Sequence, residues 1–252
     1  MSSHLTIVTG SSRGLGQALV AGLLQPGHQV LGLARQQNPA LATLATERGA
    51  RLTQWAVDLA EPLLAAERLA GWLAAPERGA VASVTLVNNA GVIGLPAALD
   101  QVPLATLQQA TRVGLEAALL LTASFLAATA HWTVPRRVMN ISSGLGRRAM
   151  AGSAAYCAAK AGMDHFTRCV ALEQAGQPNG ARVVSIAPGV IDTDMQAELR
   201  GADTVAFPEG ARFAQLHAAG QLSSPADCAA RLLAFLHGPA FGAEPIVDIR
   251  DI

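Results

Sequence analysis

Seven short runs rich in Val, Ile and Leu punctuate this chain, and longer amphipathic stretches separate them. The runs are "LTIVT" (5–9), "QVLGLA" (29–34), "RLTQWAV" (51–57), "SVTLVN" (83–88), "RVMNIS" (137–142), "RVVSIA" (182–187) and "PIVDI" (245–249). Their length and apolar character fit strands buried on both faces of a sheet. Helical patterns fill the intervals near 15–25, 39–48, 62–75, 104–130, 153–176 and 225–237. Strands alternating with helices predict an α/β fold, with a parallel sheet covered by helices on both sides. One interval breaks the rhythm. Residues 190–222 place mostly polar and small side chains between the sixth strand and the last helix. The chain therefore reads as a single domain over 1–252, with a substrate-covering insertion at 190–222.

Composition excludes several classes of function. Hydrophobic residues are 51% of the chain and charged residues 14%, enough for a large core. Lys plus Arg equals Asp plus Glu at 18 each, and no charged block suggests nucleic acid or membrane as a partner. The cysteines, Cys157, Cys169 and Cys228, are odd in number and lack a Cys-x-x-Cys pair. With no signal-like segment after "MSSHLTIVTG", they predict a soluble protein of the reducing cytoplasm. Apolar stretches read as broken before about 18 residues, the length needed to span a bilayer. The six histidines have no ligand spacing, so no metal is expected.

The turn "TGSSRGLG" (9–16) lies between the first strand and first helix. Gly10, Gly14 and Gly16 there permit a tight turn, close approach of backbone to a pyrophosphate, and close helix packing. The helix start adds unpaired N–H groups and a positive dipole end. At the end of the second strand, a carboxylate would bind the adenosine ribose of NAD. This chain has Ala34 and Arg35 instead. A guanidinium fork suits a 2′-phosphate, and Arg13 in the glycine turn could supply a second, so the expected cofactor is NADP(H).

A second cluster lies in "NISSGLGRRAMAGSAAYCAAK" (140–160). Tyr156, the chain's single tyrosine, and Lys160 are four apart in a helical stretch and share one face. Ser143 follows the fifth strand, at the edge where ligands bind open α/β sheets. By itself Tyr-x-x-x-Lys reads equally well as a surface helix.

Taken together, Thr9-Gly10-x3-Gly14-x-Gly16, "NNAG" (88–91), Ser143, Tyr156-x3-Lys160 and "PGVIDT" (188–193) resemble the short-chain dehydrogenase/reductase family over essentially the whole chain. The resemblance implies a Rossmann-like, doubly wound, seven-stranded parallel sheet flanked by helices. It also implies hydride transfer between a nicotinamide and a carbonyl carbon. Tyr156 would be the general acid, Ser143 a donor to the carbonyl oxygen, and Lys160 the cation lowering the phenol pKa and holding the nicotinamide ribose. Further cofactor contacts implied are Ser12, Arg13 and Leu15 in the glycine turn, Asp58 and Leu59 beside adenine, and Asn88, Ala90 and Gly91 after the fourth strand. Pro188, Gly189, Val190 and Thr193 would hold the carboxamide, although Thr193 could instead cap the following helix. One position departs from the family: Gly114, in "TRVGLEAALLL", replaces an asparagine that fixes a water, and extra water is expected to fill the space.

Later segments, "HWTVPRRVMNISSGLG" and "VDIRDI" among them, are similar to the branch of benzil and sepiapterin reductases. That implies a small-molecule carbonyl substrate, aromatic or vicinal dicarbonyl, and a homodimer or homotetramer. Asp248 falls where a pterin-anchoring aspartate would lie. Leu145 and Met150 are candidate pocket walls, and Met195 and Gln196 could close over substrate. Arg147 and Arg148 read as solvated loop charges, and Cys157 as packing. Two other functions stay open: a non-catalytic NADP(H)-binding redox sensor, for which Gly114 speaks, and a dehydrogenase oxidising a secondary alcohol.

Overall fold

A computed structural model describes residues 3–75, 81–202, 207 and 209–252. Its strands are β1 (Ser3–Thr9), β2 (His28–Ala34), β3 (Arg51–Ala56), β4 (Val81–Asn88), β5 (Arg136–Ile141), β6 (Arg182–Ala187) and β7 (Ile246–Asp248). They form one seven-stranded sheet in the order β3-β2-β1-β4-β5-β6-β7, with every pair parallel. The order reverses between β1 and β4. That opens a crevice beyond their carboxyl ends, where ligands of doubly wound sheets bind.

Side-chain alternation along each strand feeds two cores. On one face, Val8, Val30, Met139 and Val184 meet α1 (Gly14–Leu23), α2 (Pro39–Glu47) and α9 (Pro225–His237) through Leu19, Leu41 and Leu232. On the other, Ile7, Leu31, Val84 and Val138 meet α3 (Pro62–Ala74) and α5 (Ala117–Ala128) through Leu69, Leu121 and Phe125. Helix starts follow local chemistry. Asn38 and Ser224 accept from backbone N–H groups at the starts of α2 and α9, and Pro39 and Pro225 take the first turn where no donor is needed.

One expectation changes. The helical run Leu104–Ala128 is 25 residues and, by length and composition, apolar enough to cross a membrane. The sequence reading expected polar residues or glycine to break every apolar stretch before about 18 residues. Instead α4 (Leu104–Thr111) passes into α5 through a π turn, Arg112–Glu116, and the α5 inner face lies in the core. The structure adds detail to the expected insertion, 190–222. Its described part is largely helical, with α7 (Asp194–Arg200) and α8 (Gly210–Ala218); 203–206 and 208 lie outside the described residues.

Candidate active site

The crevice floor is the turn after β1. Gly10 and Gly14 have φ of +66° and +55°, a region costly for residues with a Cβ. A Cβ on Gly16 would lie 2.1 Å from the Gly10 carbonyl oxygen, so α1 can start there only with glycine. Asn89 holds the turn: its Nδ2 donates to the Thr9 carbonyl at 2.9 Å, and Thr9 Oγ1 accepts from the Asn89 and Ala90 N–H groups at 2.9 and 3.0 Å. Asn89 was missed in the sequence, where its place inside "NNAG" was the only signal. No side chain caps α1 at Arg13, which leaves its first N–H groups for an anion. This backbone cradle, closed to a Cβ at Gly16 and tight at Gly10, fits a dinucleotide pyrophosphate.

The Ser143, Tyr156 and Lys160 side chains converge beside the crevice. Ser143 ends β5 and starts the short turn Gly144–Gly146, its Oγ accepting from Leu145 N–H at 3.1 Å. Tyr156 and Lys160 sit in the first turns of α6 (Ala154–Ala175), and Ser143 hydrogen-bonds the phenol. Lys160 is buried; its Nζ donates to the Ile141 carbonyl at 2.7 Å and lies 5.6 Å from the Tyr156 ring centroid.

The electrostatics of the site set the charge states of both groups. The phenol pKa is raised to about 12, because burial outweighs the lowering effect of the Ser143 hydrogen bond, with Cys157 adding to the rise. Burial also lowers the Lys160 ammonium to about 8 against the opposing pull of Asp164. Lys160 spends a hydrogen bond on the Ile141 carbonyl. Tyr156 therefore keeps its proton across the physiological range, as a proton donor must.

Above the phenol lies an apolar cluster. Ile93, Met150, Leu199, Phe207 and Phe213 are buried, with Leu145, Tyr156, Cys157 and Met195 packed against them. The expected wall residues Leu145, Met150 and Met195 thus meet in space. Phe207 and Phe213 stack at 6.1 Å with rings 8° from parallel. Sequence reading missed Ile93, Leu199 and Phe213, since only the folded insertion brings α7 and α8 over Tyr156.

A sequence model of the short chain dehydrogenase family matches residues 4–204. The chain is a short-chain dehydrogenase/reductase. It is 32% identical over 245 residues to a Bacillus cereus benzil reductase ((S)-benzoin forming), covering 97% of this chain and 98% of that one. It is 34% identical to the sepiapterin reductase of Rattus norvegicus, covering 98% and 96%. A solved Agrobacterium tumefaciens structure with bound NADP superposes with a TM-score of 0.80 at 26% identity, covering 98% and 95%. This short-chain dehydrogenase/reductase is thus an oxidoreductase of CH–OH and C=O groups that uses a nicotinamide cofactor.

Several expected contacts in the enzyme need revision. The Asn88 side chain points away from the crevice, donating to Asn140 Oδ1 at 2.8 Å and Thr122 Oγ1 at 3.0 Å, so only its backbone can meet a cofactor. Leu59 is buried in the core beside α3, and Asp58 accepts from Ala60 N–H at 2.9 Å. Thr193 holds the N-cap position of α7 without capping it. Its methyl would lie 3.5 Å from a Cβ on Gly14, which places it against the glycine turn. Arg13 pairs with Asp194 at 2.8 Å, both exposed, whereas Arg35 pairs with no acid among the described residues. Asp248 is not a free anchor: Arg250 donates to both its oxygens, Nε at 2.8 Å and NH2 at 2.6 Å. Gly114 packs against α6: a Cβ there would lie 3.2 Å from Ala159 Cβ. Arg147, an exposed residue, is more than a solvated charge, since it also bonds Asp164 and the Val247 carbonyl.

Proposed function

We propose that this enzyme is an NADPH-dependent carbonyl reductase acting on an aromatic or vicinal dicarbonyl, with Tyr156 as the proton donor. The observation that carries this is the half-buried Tyr156 phenol, with Lys160 Nζ 5.6 Å from its ring centroid and an apolar cluster packed over it. NADPH would supply the hydride when bound. The glycine turn would bind its pyrophosphate, Gly91 and the 188–193 segment would flank the nicotinamide, and Lys160 would hold the ribose. Arg35, which has no acid partner among the described residues, would meet a 2′-phosphate; Arg13 must first leave Asp194.

In reduction, the ketone oxygen would sit between Ser143 Oγ and Tyr156 Oη. Ser143 donates a hydrogen bond as negative charge develops on that oxygen. Tyr156 passes its Oη proton to the same oxygen, giving the alcohol and a phenolate. The Lys160 ammonium, one turn along, steadies that phenolate. Leu145, Met150, Met195 and the phenylalanine pair would face the aryl groups and keep water out. The Arg250 clamp on Asp248 favours a neutral diketone over a pterin. A homodimer or homotetramer in the cytoplasm completes the reading.

Kinetics with benzil and with sepiapterin, each with NADPH and NADH, test it. The expected ranking is NADPH over NADH and benzil over sepiapterin. Equal use of both cofactors, or no turnover of either dicarbonyl, contradicts the proposal.

A further inference from the structure

Arg147 bridges three elements around the candidate site. Its Nε donates to Asp164 Oδ2 at 3.0 Å, and its NH2 group donates to the Val247 carbonyl of β7 at 3.0 Å. Asp164 is one helical turn beyond Lys160 on α6 and 2% exposed; its second oxygen accepts from Ser185 Oγ of β6 at 2.6 Å. The turn carrying Ser143 rests on the same stretch of helix. A Cβ on Gly146 would lie 2.9 Å from the Lys160 carbonyl oxygen and 3.1 Å from Asp164 Oδ2. Contact this close leaves the turn little freedom to slide along α6.

We propose that Arg147 is a positioning residue which, through Asp164, locks the Ser143 turn onto the helix carrying Tyr156 and Lys160 and governs how strongly the Asp164 carboxylate acts on the Lys160 ammonium. This rests on reading Ser143, Tyr156 and Lys160 as the reacting residues.

The two effects follow from one geometry. Geometrically, Ser143 and Tyr156 must meet one carbonyl oxygen, and an error of about 1 Å in such a pair costs roughly a hundredfold in rate. Electrostatically, Asp164 favours the charged form of Lys160 against burial, while Arg147, bound to the same carboxylate, partly cancels its field. The groups around Lys160 are Tyr156 and Asp164 on α6, the Ile141 carbonyl of β5, and Gly91 after β4. Behind Asp164 stand Arg147, Ser185 of β6, and Asp248 of β7, which feels Arg147 and is held by Arg250. Loss of Asp164 charge should make Lys160 easier to deprotonate. Loss of Arg147 charge should make it harder.

The test is the pH profile of kcat for benzil reduction by the full-length enzyme with NADPH, in Arg147→Gln, Arg147→Lys and Asp164→Asn. Arg147→Gln and Asp164→Asn should each lower kcat about 10- to 100-fold. The alkaline limb, where Lys160 loses its proton, should move by about half a pH unit, down in Asp164→Asn and up in Arg147→Gln. Arg147→Lys, keeping the charge without the fork, should leave the limb in place and lower kcat. Limbs that stay put in both charge-removing variants, or move in the same direction, overturn the proposal. Should Asp164→Asn fail to fold, the upward shift in Arg147→Gln decides alone. Tyr156→Phe separates the two readings: if it remains active, the reacting residues themselves are misassigned; if it is inactive while the Arg147→Gln limb is unmoved, only the positioning role falls.

Discussion

Arg250 closes its guanidinium fork on both carboxylate oxygens of Asp248, at 2.8 and 2.6 Å. The same residue's backbone N–H adds a third bond to Oδ1 at 3.0 Å, and the pair holds the Asp248 carboxyl below its ordinary range. An aminopterin would have to displace this fork. Arg250→Gln should therefore raise kcat/KM for sepiapterin relative to benzil by about tenfold, comparable to one charge-assisted hydrogen bond. An unchanged ratio would remove Asp248 from substrate discrimination.

Arg13 and Asp194 form an exposed pair between the glycine turn and the start of α7. Such pairs are worth about 1 kcal/mol or less. Asp194→Asn, by freeing Arg13, should tighten NADPH binding by about two- to fivefold. Arg35→Ala should weaken NADPH and leave NADH unaffected. Fluorescence titration of both cofactors, at low and high salt, checks the two together.

Gly114 lets the π turn between α4 and α5 approach α6 at Ala159. Gly114→Asn should lower the denaturant midpoint, because a side chain forced into close packing costs about 1–3 kcal/mol. Adding Ala159→Gly should recover part of that loss by opening the facing position. A Gly114→Asn protein as stable as the parent would contradict the contact.

His28 and His237 both have pKa values lowered from 6.5, chiefly by burial, with His4 close by; the His4 and His28 ring centroids are 5.1 Å apart. A histidine that resists protonation when folded takes up its proton more readily when unfolded. Its contribution to stability is therefore full above about pH 6.5 and is lost as pH falls below that value. Urea unfolding between about pH 7.5 and pH 5 should show that decline, and His28→Gln should flatten it.

The sheet was legible because its strands are apolar and evenly spaced, so each of the seven runs became a strand within a few residues of its expected bounds. The glycine turn and the Ser143, Tyr156 and Lys160 positions were legible because short motifs set their local geometry. What sequence could not supply was direction. Asn88 and Leu59 lie in the expected segments with side chains turned into the core. Arg147 gained its partners from helix α6 and from β7, which adjacency in the chain does not reveal, whereas the Arg250 clamp on Asp248 joins residues two apart in the sequence. Phe207 and Phe213 came together because the insertion folds as helices over α6. The π turn escaped notice because it lies inside one continuous helical pattern, 104–130, whose apolar spacing does not mark one wider turn.

Single-turnover reduction of benzil by NADPH, compared in the parent enzyme and Tyr156→Phe, tests the central role given to the phenol. Loss of an acid catalyst typically costs about 100- to 10,000-fold, so the variant should bind NADPH normally and transfer hydride slower by that factor. A Tyr156→Phe enzyme turning over benzil at the parent rate would contradict the account.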